Sequence, residues 1–145
     1  MPTGTRAKPA DLLLDTSAAI ALILEDHEAH GATLAAVQGR RLGVAGHAWF
    51  ETFSVLTRLP SGLRLSPANA LRVVTTSFPG SVFLGEPETA ALGPEIARLG
   101  IAGGSVYDAL VGAAARLHRR PLLSRDTRAL PIYRALDVDV ERVED

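Results

Sequence analysis

Four carboxylates, Asp15, Glu51, Asp108 and Asp126, are spaced 36, 57 and 18 residues apart, too far for any local motif but well suited to convergence in a fold. Asp15 closes the apolar run Leu12–Leu14, and Asp126 follows the run Leu122–Ser124 by two residues. In open α/β sheets ligands bind beyond the carboxyl ends of the strands. If both runs are strands, both aspartates project at that edge. Glu51 and Asp108 fall in the early turns of expected helices that open at the same edge, one after the second strand and one after Gly103-Gly104. Oxygen donors in this number suit Mg²⁺ or Mn²⁺, hard cations that keep several waters and need few protein ligands beside a substrate phosphate. Such an ion activates water and stabilises charge on a phosphate in transfer.

Each acid also has a plainer role available. Asp15 before Thr16-Ser17, and Asp126 before Thr127, are each placed to cap a helix. Ser105 to Asp108 reads as a capping box with Asp in the place of Glu. Glu51 has no lysine or arginine three or four residues away to form the usual helical ion pair, and Asp108 has only Gly104, Ser105, Val111 and Gly112 at those offsets. On Glu51's helix the expected buried stripe is Trp49, Phe53 and Leu56; opposite Asp108 it is Val106, Leu110, Ala113 and Leu117. His47 shares i,i+4 spacing with Glu51, but no second histidine or cysteine completes a transition-metal site, so it reads as a partly buried histidine near the active edge. The hydroxyls of Thr16, Ser17 and Ser124 either support the carboxylates by hydrogen bonding or serve local turns.

The elements that must position these residues alternate. Strands are expected at 10–15, 42–45, 81–84, 121–124 and 138–143, with helices over 16–25, 28–38, 46–59, 67–77, 87–99 and 105–119 and a short helical turn after Ser124. Ser66-Pro67 supplies an N-cap and first-turn proline. Alternation of this kind predicts a three-layer α/β/α domain around a short parallel sheet. One domain is expected over 10–145, after a flexible leader over 1–9.

Composition narrows the classes. With 47% hydrophobic and 21% charged residues the 145-residue chain has an ordinary globular balance, and without cysteine it has no disulfide frame or thiolate nucleophile. The apolar stretch from Leu12 to Leu24 is broken by Asp15, and so reads as folded core rather than a signal peptide or membrane span. A cytoplasmic location is expected. The formal charge is −1, yet between Arg116 and Arg134 six arginines face the single Asp126. Arg116, Arg119, Arg120, Arg125 and Arg128 are thus candidates for holding an RNA backbone or an acidic protein tail. No phosphate loop ending in Lys-Ser/Thr is present. A receiver domain needs a lysine near the late strands, and the only lysine is Lys8.

The segments LLLDTSAAIAL around Asp15, HAWFETFSVLTRLP around Glu51, AGGSVYDALVGAAA around Asp108 and PLLSRDTRAL around Asp126 occur in the order found in PIN-domain ribonucleases. In particular the chain resembles VapC-type toxins of toxin–antitoxin pairs, and LTRLP and ALPIYRAL look like actinobacterial members. The resemblance implies one or two Mg²⁺ or Mn²⁺ ions held directly or through water by Asp15, Glu51, Asp108 and Asp126, with water as nucleophile. It implies endonucleolytic cleavage of structured RNA such as tRNA or rRNA, which inhibits translation. It further implies a homodimer and a hetero-oligomer with a cognate VapB-like antitoxin. Where many members carry threonine two residues before the last acid, this chain has Ser124, which keeps the hydroxyl. The other reading is a catalytically idle PIN-like module that binds RNA or protein; a complete set of acids argues against it.

Overall fold

A computed structural model of the chain describes residues 8–143. Residues 1–7 of the expected leader lie outside it. The elements are β1 (Leu12–Leu14), α1 (Thr16–Ile23), α2 (His30–Val37), β2 (Leu42–Val44), α3 (Ala48–Thr57), α4 (Pro67–Ser77), α5 (Glu86–Arg98), α6 (Ser105–His118), β3 (Leu122–Ser124), α7 (Leu130–Ala135) and β4 (Val140–Arg142).

The four strands form one parallel sheet in the order β2-β1-β3-β4. Unbroken apolar strands are what a sheet covered on both faces requires. Leu12, Leu13 and Leu14 are wholly buried at its centre, with Leu13 opposite Gly43 on one side and Leu122 on the other. Helix α1 packs on α2 and α3, and α3 on α4; α6 packs on α5 and α7. The result is the three-layer α/β/α arrangement expected from the alternation.

A fifth strand over 81–84 does not form. Only a single parallel bridge, Ala45 with Val82, extends the sheet beyond β2. The cause is chemical: the Ser81 hydroxyl accepts the Val44 N–H at 3.0 Å and donates to the Phe78 carbonyl at 2.8 Å, so a side chain occupies a place in the ladder. Close approach here also explains Gly43, where a Cβ would fall on the Gly80 carbonyl.

The helices differ from expectation mainly in which face they bury. On α3 the wholly buried residues are Ala48, Thr52 and Leu56, whereas Trp49 and Phe53 are half-buried and stack on each other. On α6 the buried set is Ala109, Val111, Gly112, Ala113, Ala114 and Ala115, while Leu117 is 41% exposed. Small side chains let the middle of α6 approach its neighbours closely, so burial follows alanine and glycine rather than the larger apolar residues.

Candidate active site

Asp15 is the residue at which β1 ends and α1 begins. Its backbone is extended, and its Oδ1 accepts the Ala18 N–H at 3.1 Å as the N-cap of α1. The same oxygen accepts the Ser17 hydroxyl at 2.6 Å, and Oδ2 accepts the Tyr133 hydroxyl at 2.9 Å. Capping and site membership therefore coincide. Asp15 is only 3% exposed, and burial pushes its pKa up against the hydrogen bonds from Ser124, Ser17, Ala18 and Tyr133, which favour the charged form.

Ser17 also ties the two strand ends together, because its Oγ accepts the Arg125 N–H at 2.9 Å while it donates to Asp15. Ser124 Oγ accepts the Asp126 N–H at 3.0 Å and so shapes the turn that presents Asp126. Thr16 Oγ1 donates to Glu51 Oε2 at 3.0 Å across 35 residues of sequence. Both kinds of role expected for these hydroxyls, supporting a carboxylate and shaping a turn, are present.

Glu51, without a lysine or arginine, does have a neighbour on its own helix: His47 Nε2 lies 3.2 Å from Oε1. Asp108 stands in the first turn of α6, whose N-terminus has no side-chain cap, so the capping box is absent. Burial, then the negative charges of Asp126, Glu51 and Asp15, raise its pKa to about 6. The four carboxylates thus stand close enough for their charges to act on one another. Asp15, Thr16, Ser17, Glu51, Asp108, Val111, Asp126 and Tyr133 line a cavity of about 50 Å³. It adjoins an open cavity of about 500 Å³ that shares Glu51, Asp108 and Asp126 and adds Gly104, Ser105, Tyr107 and Arg128.

Among the described residues, no three acidic or histidine side chains stand ready to grip a metal ion directly. The donor set is nevertheless all oxygen, and its mutual repulsion is what a divalent cation would relieve. A hydrated Mg²⁺ or Mn²⁺ would fit this donor set.

The arginines divide by environment. Arg116 is committed to Glu95 through two bonds of 3.0 and 2.7 Å and also donates to the Leu136 carbonyl at 3.1 Å. Arg119, exposed at the end of α6, adopts a left-handed conformation with φ 54°. The Nε of Arg120 is buried with no partner among the described residues, and Arg125 is half-buried beside the site. Of the five, only Arg128 lines the open cavity; it reaches the Asp126 carboxylate at 3.3 Å with its side chain 90% exposed.

The pattern of the PIN domain matches residues 12–135, which include all four acids. This chain belongs to the PIN-domain family. It is 45% identical over 129 residues to ribonuclease VapC27 of Mycobacterium tuberculosis, covering 89% of this chain and 94% of that protein. It is 37% identical over 131 residues to ribonuclease VapC40 of the same organism, covering 89% and 96%. The VapC-type resemblance carried by the four segments therefore extends over the domain. Among solved PIN-like folds, VapBC2 from Rickettsia felis, bound to a DNA fragment from their promoter, superposes with TM-score 0.65 at 13% identity over 92% of this chain and 98% of that one. FitAcB from Neisseria gonorrhoeae superposes with TM-score 0.63 at 20% identity over 89% and 95%.

Tyr133 is a member of the site that the sequence does not single out, although the family match spans it. Its signal is faint: one tyrosine among apolar positions in the short α7, the residue of that helix whose buried hydroxyl requires a partner.

Proposed function

We propose that this chain is an endoribonuclease toxin of a toxin–antitoxin pair, hydrolysing RNA with Mg²⁺ or Mn²⁺ at Asp15, Glu51, Asp108 and Asp126. The observation that carries the reading is the convergence of these four acids on one cavity, with Asp108 feeling the charge of the other three. Similarity to proteins named ribonuclease VapC27 and VapC40 supports the reaction class. A small cognate VapB-like antitoxin as partner is supported by the VapBC and FitAB assemblies that share the fold. A homodimer acting in the cytoplasm on tRNA or rRNA completes the proposal. Among the described residues no helix is long and apolar enough to cross a membrane.

The protein's own groups have separable tasks. Asp15 is held in one rotamer by Ser17, Ala18 and Tyr133, and Thr16 fixes one oxygen of Glu51. Asp108, crowded by the charges of Asp126, Glu51 and Asp15, is placed to share in holding the cation that would relieve that repulsion. Arg128 at the rim is positioned to meet backbone phosphates. When bound, the divalent ion would lower the pKa of water and neutralise charge developing on the phosphate.

Incubating the protein with RNA, with and without Mn²⁺, beside Asp108→Ala tests the proposal. Metal-dependent cleavage by the native chain alone is expected. Equal cleavage by both proteins would overturn it, and binding without cleavage would favour the idle module.

A further inference from the structure

The first turn of α6 places a large aromatic side chain beside the acids, one to which the proposed hydrolysis gives no task. Tyr107 immediately precedes Asp108, is 51% exposed, and lines the open cavity together with Glu51, Asp108, Asp126 and Arg128. It is not a loose surface ring. The His47 imidazole stacks on it with centroids 5.0 Å apart and planes 23° from parallel, and His47 is itself held 3.2 Å from Glu51. A carboxylate, an imidazole and a phenol thus form a chain running from the acid cluster to the cavity mouth.

Aromatic faces backed on one side and open on the other are how proteins grip unpaired nucleotides, because every base has a π-face to stack. The cavity is of ligand size at about 500 Å³. Its polar and acidic floor suits a metal-bridged phosphate, whereas a base needs an aromatic wall. Tyr107 is the aromatic residue lining it, and it shares that lining with Asp108.

We propose that Tyr107, braced by His47, is the stacking platform for an unpaired base next to the scissile phosphate. Tyr107 then selects the nucleotide beside the cut by gripping the exposed face of its base. This rests on the ribonuclease reading and sharpens it: paired RNA cannot present that face.

The test uses the full chain and a short single-stranded RNA carrying 2-aminopurine at successive positions, bound in Ca²⁺ and cut in Mn²⁺. Stacking quenches the fluorophore at one position in the native protein and in Tyr107→Phe. In Tyr107→Leu, which keeps apolar bulk, the quench is lost and the Kd rises about tenfold, by the usual range for removing one base stack. A loop-containing hairpin is cut faster than the fully paired duplex of the same sequence. If the native chain cuts RNA but Tyr107→Leu binds, quenches and cuts like the native protein, the platform is refuted and the nuclease stands. Quenching by the leucine variant as full as by the phenylalanine variant refutes it too, since bulk alone would then suffice. A native chain that neither binds nor cuts RNA overturns both readings.

Discussion

The hydroxyl of Tyr133 donates a 2.9 Å hydrogen bond to Oδ2 of Asp15, joining α7 to the end of β1 across 118 residues of sequence. Both groups are almost wholly buried, so the loss of either leaves the other poorly solvated. Asp15 is the most enclosed of the four acids, and this bond is one of those that oppose the upward push of burial on its pKa.

Tyr133→Phe removes only the donor. It is expected to cost about 1–3 kcal/mol of stability by leaving an acceptor unpaired. Because the bond lowers the Asp15 pKa, its loss moves the acid limb of the cleavage profile to higher pH. Urea denaturation and a pH series of cleavage rates measure the two effects; a variant with native stability and profile would show that the bond carries neither.

Stability without metal should fall as pH rises through the acid range. The folded-state pKa of Asp108, about 6, exceeds its ordinary value of 3.8, so between these values the folded chain holds a proton that the unfolded chain has released. Raising the pH through that window therefore removes stability, and Asp15 acts in the same direction. Asp108→Asn abolishes the charge and should stabilise the metal-free protein at about pH 7.5 by roughly 1 kcal/mol after allowance for solvent screening. Near pH 4 the gain should vanish. Urea midpoints that differ equally at both values would contradict this assignment of the shift.

Divalent cations should reverse that penalty. At a concentration about a hundredfold above Kd, binding to the folded state adds about 2.7 kcal/mol, which for a domain of this size raises the melting temperature by several degrees. Thermal melts in Mg²⁺ or Mn²⁺ against a chelator read the shift directly. Asp126→Asn should blunt it, and a native melt unmoved by millimolar metal would count against the site.

The two best-placed arginines should separate by assay. Arg116→Ala breaks the pair with Glu95 and is expected to lower stability by about 1 kcal/mol while leaving the salt dependence of RNA binding unchanged. Arg128→Ala should leave stability nearly intact and reduce the salt slope by about 0.7, the value for one phosphate contact on a single strand. Identical slopes for the native chain and Arg128→Ala would remove this residue from the phosphate path.

Much of this architecture is legible in the sequence because it depends on strong local signals. Three leucines ending in aspartate announce a buried strand and the helix capped after it, and Leu122–Ser124 announces the strand that leads to Asp126. The expected strand over 81–84 fails for a reason no periodicity reports, a serine hydroxyl taking a ladder position. The buried face of α6 departs from the apolar stripe because burial there follows close approach of alanines, which depends on neighbouring helices rather than on hydrophobic size, and on α3 burial takes Ala48 and Thr52 in place of Trp49 and Phe53. The i,i+4 spacing of His47 and Glu51 is visible in the sequence, whereas the stacking of Tyr107 on His47 arises from the packing of α6 beside α3. Tyr133 is the extreme case, since its partner lies 118 residues away.

That span from Asp15 to Tyr133 has a consequence for synthesis. The ribosome makes the first acid 118 residues before the tyrosine that holds it, and Asp126 also comes late in that interval. Domains fold as units, so a nascent chain that has not yet passed α7 lacks the assembled cluster. The acid cluster is therefore completed only once nearly all the residues from β1 to α7 have been made.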